Sequence, residues 1–129
     1  MRLMTFIDPT FHKGRNCTVR RGKFWSCLKR GEEIALVRSL ANSKERIVVK
    51  VERTKVIRYR ELKARDIKMS HIARCRGKKK ELLEEMKGIH KGKERPFSAN
   101  ETVTVVYFTV RYGAYISPYG ELIHYKEGM

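Results

Sequence analysis

The sequence has no glutamine and only three asparagines, Asn16, Asn42 and Asn100. Depletion of thermolabile amides beside many Lys, Arg and Glu is a composition met in proteins from hot-growing sources. Cysteine is scarce and odd in number: Cys17, Cys27 and Cys75 form neither the CxxC pairs of a zinc site nor a disulfide framework. They are expected as buried thiols in a reducing compartment. His12, His71, His90 and His124 lack any HxH or HExxH spacing, and His71 with Cys75 supplies only two potential ligands at helical spacing, so no metal and no cofactor is expected. Long apolar runs are missing too. No stretch approaches the roughly 20 residues of a spanning helix. Asp8 and Pro9 interrupt "MRLMTFIDPTF" where a secretory signal would continue its apolar core. The expectation is a soluble cytoplasmic protein that does not engage membranes.

Acidic residues are also in short supply, 14 against 30 lysines and arginines, giving a formal net charge of +16 over 129 residues. That length suits one domain with a real core, expected over 1–129. A field of this size attracts polyanions, and nucleic acid is the default partner. The charge is uneven: residues 1–100 carry about +17 and residues 101–129 about −1.

Pattern along the chain argues for a small α+β domain with its sheet curled toward a barrel. "RLMTFI" alternates as an opening strand that Pro9 ends. The basic segment after it reads as a short strand between loops, punctuated by Gly14 and Gly22. Glu32–Leu40 favours β-structure. Arg46–Tyr59 is the strongest strand signal, with a loss of strict alternation near Arg53 that suggests a bulge. The period then lengthens. "YRELKARDIKM" reads as a short helix and turn, and Gly77–His90 as an amphipathic helix with Leu82, Leu83, Met86 and Ile89 inward, stopping near Gly88. Residues 90–100 read as a polar linker. Thr102–Val110 is a buried strand, followed by a turn around Gly113 and a further hairpin at "SPYG".

Several segments share a pattern. Gly14 is followed by Arg15-x-x-Thr18-x-Arg20-Arg21-Gly22, then Trp25 and the turn "LKRGEEIALV"; "VVKVERTKVIRYRELKARD", "KELLEEM" and "VTVVYF" follow. Over residues 10–110 this order resembles the ASCH domain family, a branch of the PUA-like superfamily whose Gly-x-Lys-x-x-Thr-x-Arg motif precedes a similar turn. The resemblance implies a PUA-like β-pseudo-barrel with helices inserted between the third and later strands, a basic cleft between barrel and helices, and RNA or nucleoside ligands. Some members hydrolyse acetylcytidine with the motif's lysine and threonine and a glutamate from the helical insertion. On this chain the threonine falls on Thr18, the arginine on Arg20 and the lysine on Arg15; the glutamate falls near Ser70 or His71, where no carboxylate is present. Arginine stays charged and is a poor general base, so Thr18 lacks an activator in this alignment.

The expectation is therefore an RNA-binding domain, with hydrolysis of a modified nucleoside by Thr18 and Arg15 as the alternative. Lys13, Arg15, Thr18, Arg20, Arg21, Lys23 and Trp25 are the candidate cleft, since arginine forks grip phosphate and an aromatic ring stacks on an unpaired base. Arg58, Arg60, Arg65, Lys68, Arg74, Arg76, Lys78, Lys79 and Lys80 form a second basic tract suited to phosphate contact or to a solvated face. Tyr107, Tyr112, Tyr115, Tyr119 and Tyr125 are expected in the core and at sheet edges rather than as a stacking platform.

Overall fold

The computed structural model describes residues 1–71, 78–92 and 95–125. Along these residues run β1 (Arg2–Thr5), β2 (Thr10–Phe11), β3 (Gly14–Arg21), β4 (Glu33–Val37), β5 (Ile47–Arg58), α1 (Ala64–Met69), α2 (Lys79–Ile89), β6 (Thr102–Val110), β7 (Ala114–Ile116) and β8 (Leu122–His124). Single 3-10 turns lie at Phe24–Cys27 and Tyr59–Glu61. The chain is an α+β protein, mostly strands, with both helices after β5. Its sheets are open and do not close into a barrel: one has the order β1-β4-β5-β6-β3, the other β2-β7-β8. Among the described strand pairings, β1 with β4 is parallel and the others are antiparallel.

The helices follow the fifth strand rather than the third. Strand β2 spans two residues and leaves no alternation to read. Strand β3, expected to be short, runs the full eight residues from Gly14 to Arg21. Gly14 (φ 101°) and Gly22 (φ 80°) turn the chain at its two ends, in a region that side chains with a Cβ rarely enter.

Strand β6 is the wall between two cores. Val103, Val105 and Tyr107 pack on one face with Cys17, Val19, Tyr59, Leu62, Ile67, Leu82 and Met86. Val106, Phe108 and Val110 pack on the other with Met4, Phe6, Phe11, Ile34, Leu36, Val49 and Val51. A side chain such as Leu82, fully buried here, contributes about 1.5–3 kcal/mol.

The bulge expected near Arg53 is present, because Val51 sits opposite Phe108 while Arg53 sits opposite Tyr107. Glu52 is the extra residue, and it reverses the facing of everything after it. Val49 and Val51 thus enter one core, whereas Arg53, Lys55 and Ile57 face the Tyr107 side.

Helix α2 runs through Gly88 to Ile89, one residue past the expected stop. Leu82 and Met86 are buried, Leu83 is partly covered, and Ile89 is exposed. Phe97, in the segment expected as a polar linker, is buried against Tyr59 with ring centroids 5.7 Å apart. The hairpin at "SPYG" joins β7 to β8, and both belong to the small sheet. Among the described residues no helix is long and apolar enough to cross a membrane.

Candidate functional site

A cavity of about 410 Å³ opens between the β3 edge, the end of β1 and helix α2. Thr18 and Arg20 reach it from alternate positions of β3, and their common face follows from the two-residue period of a strand. Thr18 is 1% exposed. The Nε–H of Arg20 donates to Thr18 Oγ1 at 3.1 Å, and the guanidinium lies 4.3 Å from the centre of the Phe6 ring. Nε is thereby occupied and the planar group is braced, leaving the terminal nitrogens of the fork as donors. Among the described residues Arg20 has no carboxylate within ion-pair distance. Burial lowers its pKa to about 10, so it remains a cation near neutrality.

His71 lines the same cavity at 8% exposure, edge-on to Phe6 with ring centroids 4.8 Å apart. Its Nδ1 is buried without a hydrogen-bond partner. Burial and then the charge of Arg20 push its pKa down to about 3, so the imidazole is neutral at ordinary pH. Phe24, 76% exposed, and Trp25 stand edge to face at the rim with centroids 5.0 Å apart. From α2 come Leu82, Glu85, Met86 and Ile89, one face of the helix at i, i+3, i+4 and i+7.

Behind the cavity a buried polar network fixes α1 against β3. Asp66, wholly buried, accepts from Tyr107 Oη at 2.5 Å, from Lys55 Nζ at 3.0 Å and from the Lys63 amide at 3.1 Å. Burial alone raises its pKa, but those hydrogen bonds outweigh it and hold the carboxyl below its ordinary value. Burial and the Asp66 charge push the Cys17 thiol up to about 12, and its Sγ–H donates to the Asp66 carbonyl at 3.1 Å. The His71 amide donates to the Cys17 carbonyl at 3.1 Å, and Ser70 bridges to Cys17. The network therefore sets Ser70 and His71 on the cavity wall and covers part of the β3 edge.

Of the sequence-predicted cleft, the structure brings Thr18, Arg20, Arg21 and Trp25 to the cavity. Arg21 is committed to Glu101 (3.0 Å) and to the Arg95 carbonyl (2.7 Å). Arg15 is elsewhere: three positions from Thr18 on a strand, it faces the other side and pairs with Glu52 at 2.9 Å. Lys13 and Lys23 are exposed in the turns flanking β3.

Much of the second tract serves the fold. Lys79 donates to the carbonyls of Arg60 and Leu62, and Lys78 pairs with Glu81 at 3.4 Å. Arg58 and Arg60 donate to Asn100. Arg65, Lys68 and Lys80 are exposed, while Arg74 and Arg76 lie outside the described residues, as does Cys75. Cys27, expected to be buried, is exposed and accepts from Arg2 at 2.6 Å. Among the described residues no group of three or more His, Cys, Asp or Glu is placed to hold a metal ion.

Sequence reasoning missed Phe6, Arg38 and Glu85. Arg38 anchors the cavity wall by donating to the carbonyls of Ile116 and Ile7. Glu85 had a readable signal, since it is an acidic residue on the inward stripe of an amphipathic helix. A scan of family models, a search of curated proteins and a search of solved structures each found no match to this chain.

Proposed function

We propose that the chain is an RNA-binding domain of the PUA-like kind that receives an unpaired nucleotide in the cavity between β3 and α2. The observation that carries this reading is Arg20, a braced guanidinium inside the cavity with no carboxylate partner among the described residues. A partly buried cation without a counter-charge is under-compensated, and an acceptor or phosphate oxygen from a ligand relieves it. Phe24 and Trp25 at the mouth offer ring faces to a base, and the volume suits one nucleotide. A pseudo-barrel is supported by Phe11 of the small sheet packing on Phe108 of the large one, with centroids 5.8 Å apart.

Trp25 is the only tryptophan and lines the cavity, so its fluorescence reports occupancy. Titration with a short oligoribonucleotide should quench it, and Arg20→Met should weaken the apparent affinity by about tenfold or more, the scale of a charge-assisted hydrogen bond. Equal affinity for native protein and Arg20→Met rejects the reading.

One observation favours the hydrolase alternative: Thr18 and Glu85 line one cavity. Against it, no lysine lines that cavity among the described residues, and Arg20 keeps its proton near neutrality. Acetylcytidine turnover that disappears in both Thr18→Ala and Glu85→Gln would establish that alternative; none is expected.

A further inference from the structure

A second concavity lies away from the Thr18 cavity. It is a groove of about 890 Å³ across β4, β5, β6 and the start of β3, and the two share no lining residue. The groove occupies the sheet face that bears Arg15. Glu33 opposes Lys50 in the β4–β5 pairing, and Arg15 opposes Thr109 in the β3–β6 pairing. The Glu52 bulge turns Arg53 onto this face beside Lys50.

Five cations line the groove, Arg15, Arg30, Lys50, Arg53 and Arg111, against two carboxylates, Glu33 and Glu52. Glu52 is spent on Arg15 and on the Thr109 hydroxyl. Among the described residues Arg30, Lys50, Arg53 and Arg111 make no ion pair. Two of them are propped on rings: Arg53 lies 4.4 Å from the Tyr107 centroid and Arg111 lies 5.3 Å from that of Tyr112. Tyr112 is itself 56% exposed.

Like charges gathered in one concavity repel each other, and an anionic partner relieves that repulsion. Most sit on or next to paired strands, which fixes their spacing better than loops would. We infer that this groove binds the phosphate backbone of a single nucleic-acid strand, on a face separate from the Thr18 cavity. Its concave shape and strand-mounted arginines suit a narrow chain of phosphates, and exposed Tyr112 beside Arg111 offers a stacking surface at one end. A bilayer, by contrast, is flat and is met by protruding side chains.

The net excess of three positive charges sets the expected size of the effect. Neutralising about three phosphates on a single strand gives a slope of about −2 in log affinity against log salt, or roughly 15- to 20-fold between 50 and 200 mM. The experiment measures that slope for an oligouridine and an oligodeoxythymidine of about 20 nucleotides. It compares native protein, the triple variant Arg30→Gln, Lys50→Gln, Arg111→Gln, the conservative pair Arg30→Lys, Arg111→Lys, and Arg20→Met. Arg53 is left intact because it packs on Tyr107.

The shared phosphate chemistry predicts a slope shallower by about 2 in the triple variant on either nucleic acid, and a native slope in the conservative pair. That result stands even if Arg20→Met changes nothing, in which case only the cavity reading fails. Equal slopes for the triple variant and native protein overturn the groove. So does a loss confined to Arg20→Met. Native binding to phosphatidylserine vesicles that the triple variant loses, with unchanged oligonucleotide slopes, also overturns it and assigns the face to membranes.

Discussion

At the scale of single residues, His71 and Asp66 link the site to acid stability. The His71 imidazole is held neutral in the folded protein, with its pKa lowered from 6.5 to about 3. The unfolded chain takes up a proton there below about pH 6.5 while the folded chain does not, so stability is complete above that pH and declines as pH falls toward 3. Inside this window each pH unit costs up to about 1.4 kcal/mol. Urea midpoints measured at pH 7.5 and pH 5 should therefore differ, and His71→Phe, which keeps the ring packing on Phe6 and Phe11, should remove most of the difference. An unchanged pH dependence in that variant would place the acid sensitivity elsewhere. Asp66 acts lower. Its carboxyl is held below the ordinary value, so its contribution is complete above about pH 3.9 and is lost as pH falls further. At neutral pH, Asp66→Asn leaves Lys55 without its counter-charge and should cost about 3 kcal/mol by denaturant unfolding. A cost below about 1 kcal/mol, the range of a surface pair, would contradict the role given to this network.

At the scale of elements, the bulge in β5 decides which residues meet. Deleting Glu52 removes the unpaired residue and makes Arg53, opposite Tyr107, the direct successor of Val51, opposite Phe108, so both faces keep their side chains and Lys55 keeps Asp66. The deletion should therefore keep cooperative unfolding with the Lys55–Asp66 pair intact, and Glu52→Ala should cost no more than about 1 kcal/mol, as for a partly exposed ion pair. Loss of cooperative unfolding on deletion, with Glu52→Ala still mild, would mean that the extra residue is needed to bend β5 and not only to set which residues share a face. This bulge was legible in the sequence, because Val49, Val51, Thr54 and Val56 cannot share one face without an extra residue. Strand β6 was legible to the residue, being a continuous β-branched and aromatic run. Strand β2 was not, since two residues carry no period. The β3 site was half legible. Thr18 and Arg20 stand out beside glycines and cations, but only a full-length strand reveals that Arg15 must point away from them. His71 carries no local signal, because its place depends on the bridge from Ser70 to Cys17, contacts across some fifty positions of chain.

At the scale of the whole molecule, a formal charge of +16 makes self-repulsion part of the stability balance. Raising ionic strength screens exposed charges over about a Debye length, roughly 10 Å at 0.1 M. Calorimetry in buffers of 20 and 200 mM sodium chloride should show the melting temperature rising by several degrees, about 1 kcal/mol in a domain of this size. A flat or falling melting temperature would mean that attractive pairs, which salt also weakens, govern the surface. Strand β6 has a consequence on another axis, the order in which the chain is made. It separates the two cores and lies between β5 and β3 in the large sheet, yet more than forty residues of chain part it from β5. During synthesis, β3 and β5 therefore emerge long before their common neighbour and present unpaired edges to the cell. Neither core can close until residues 102–110 have left the ribosome, so the fold is completed late and nearly all at once.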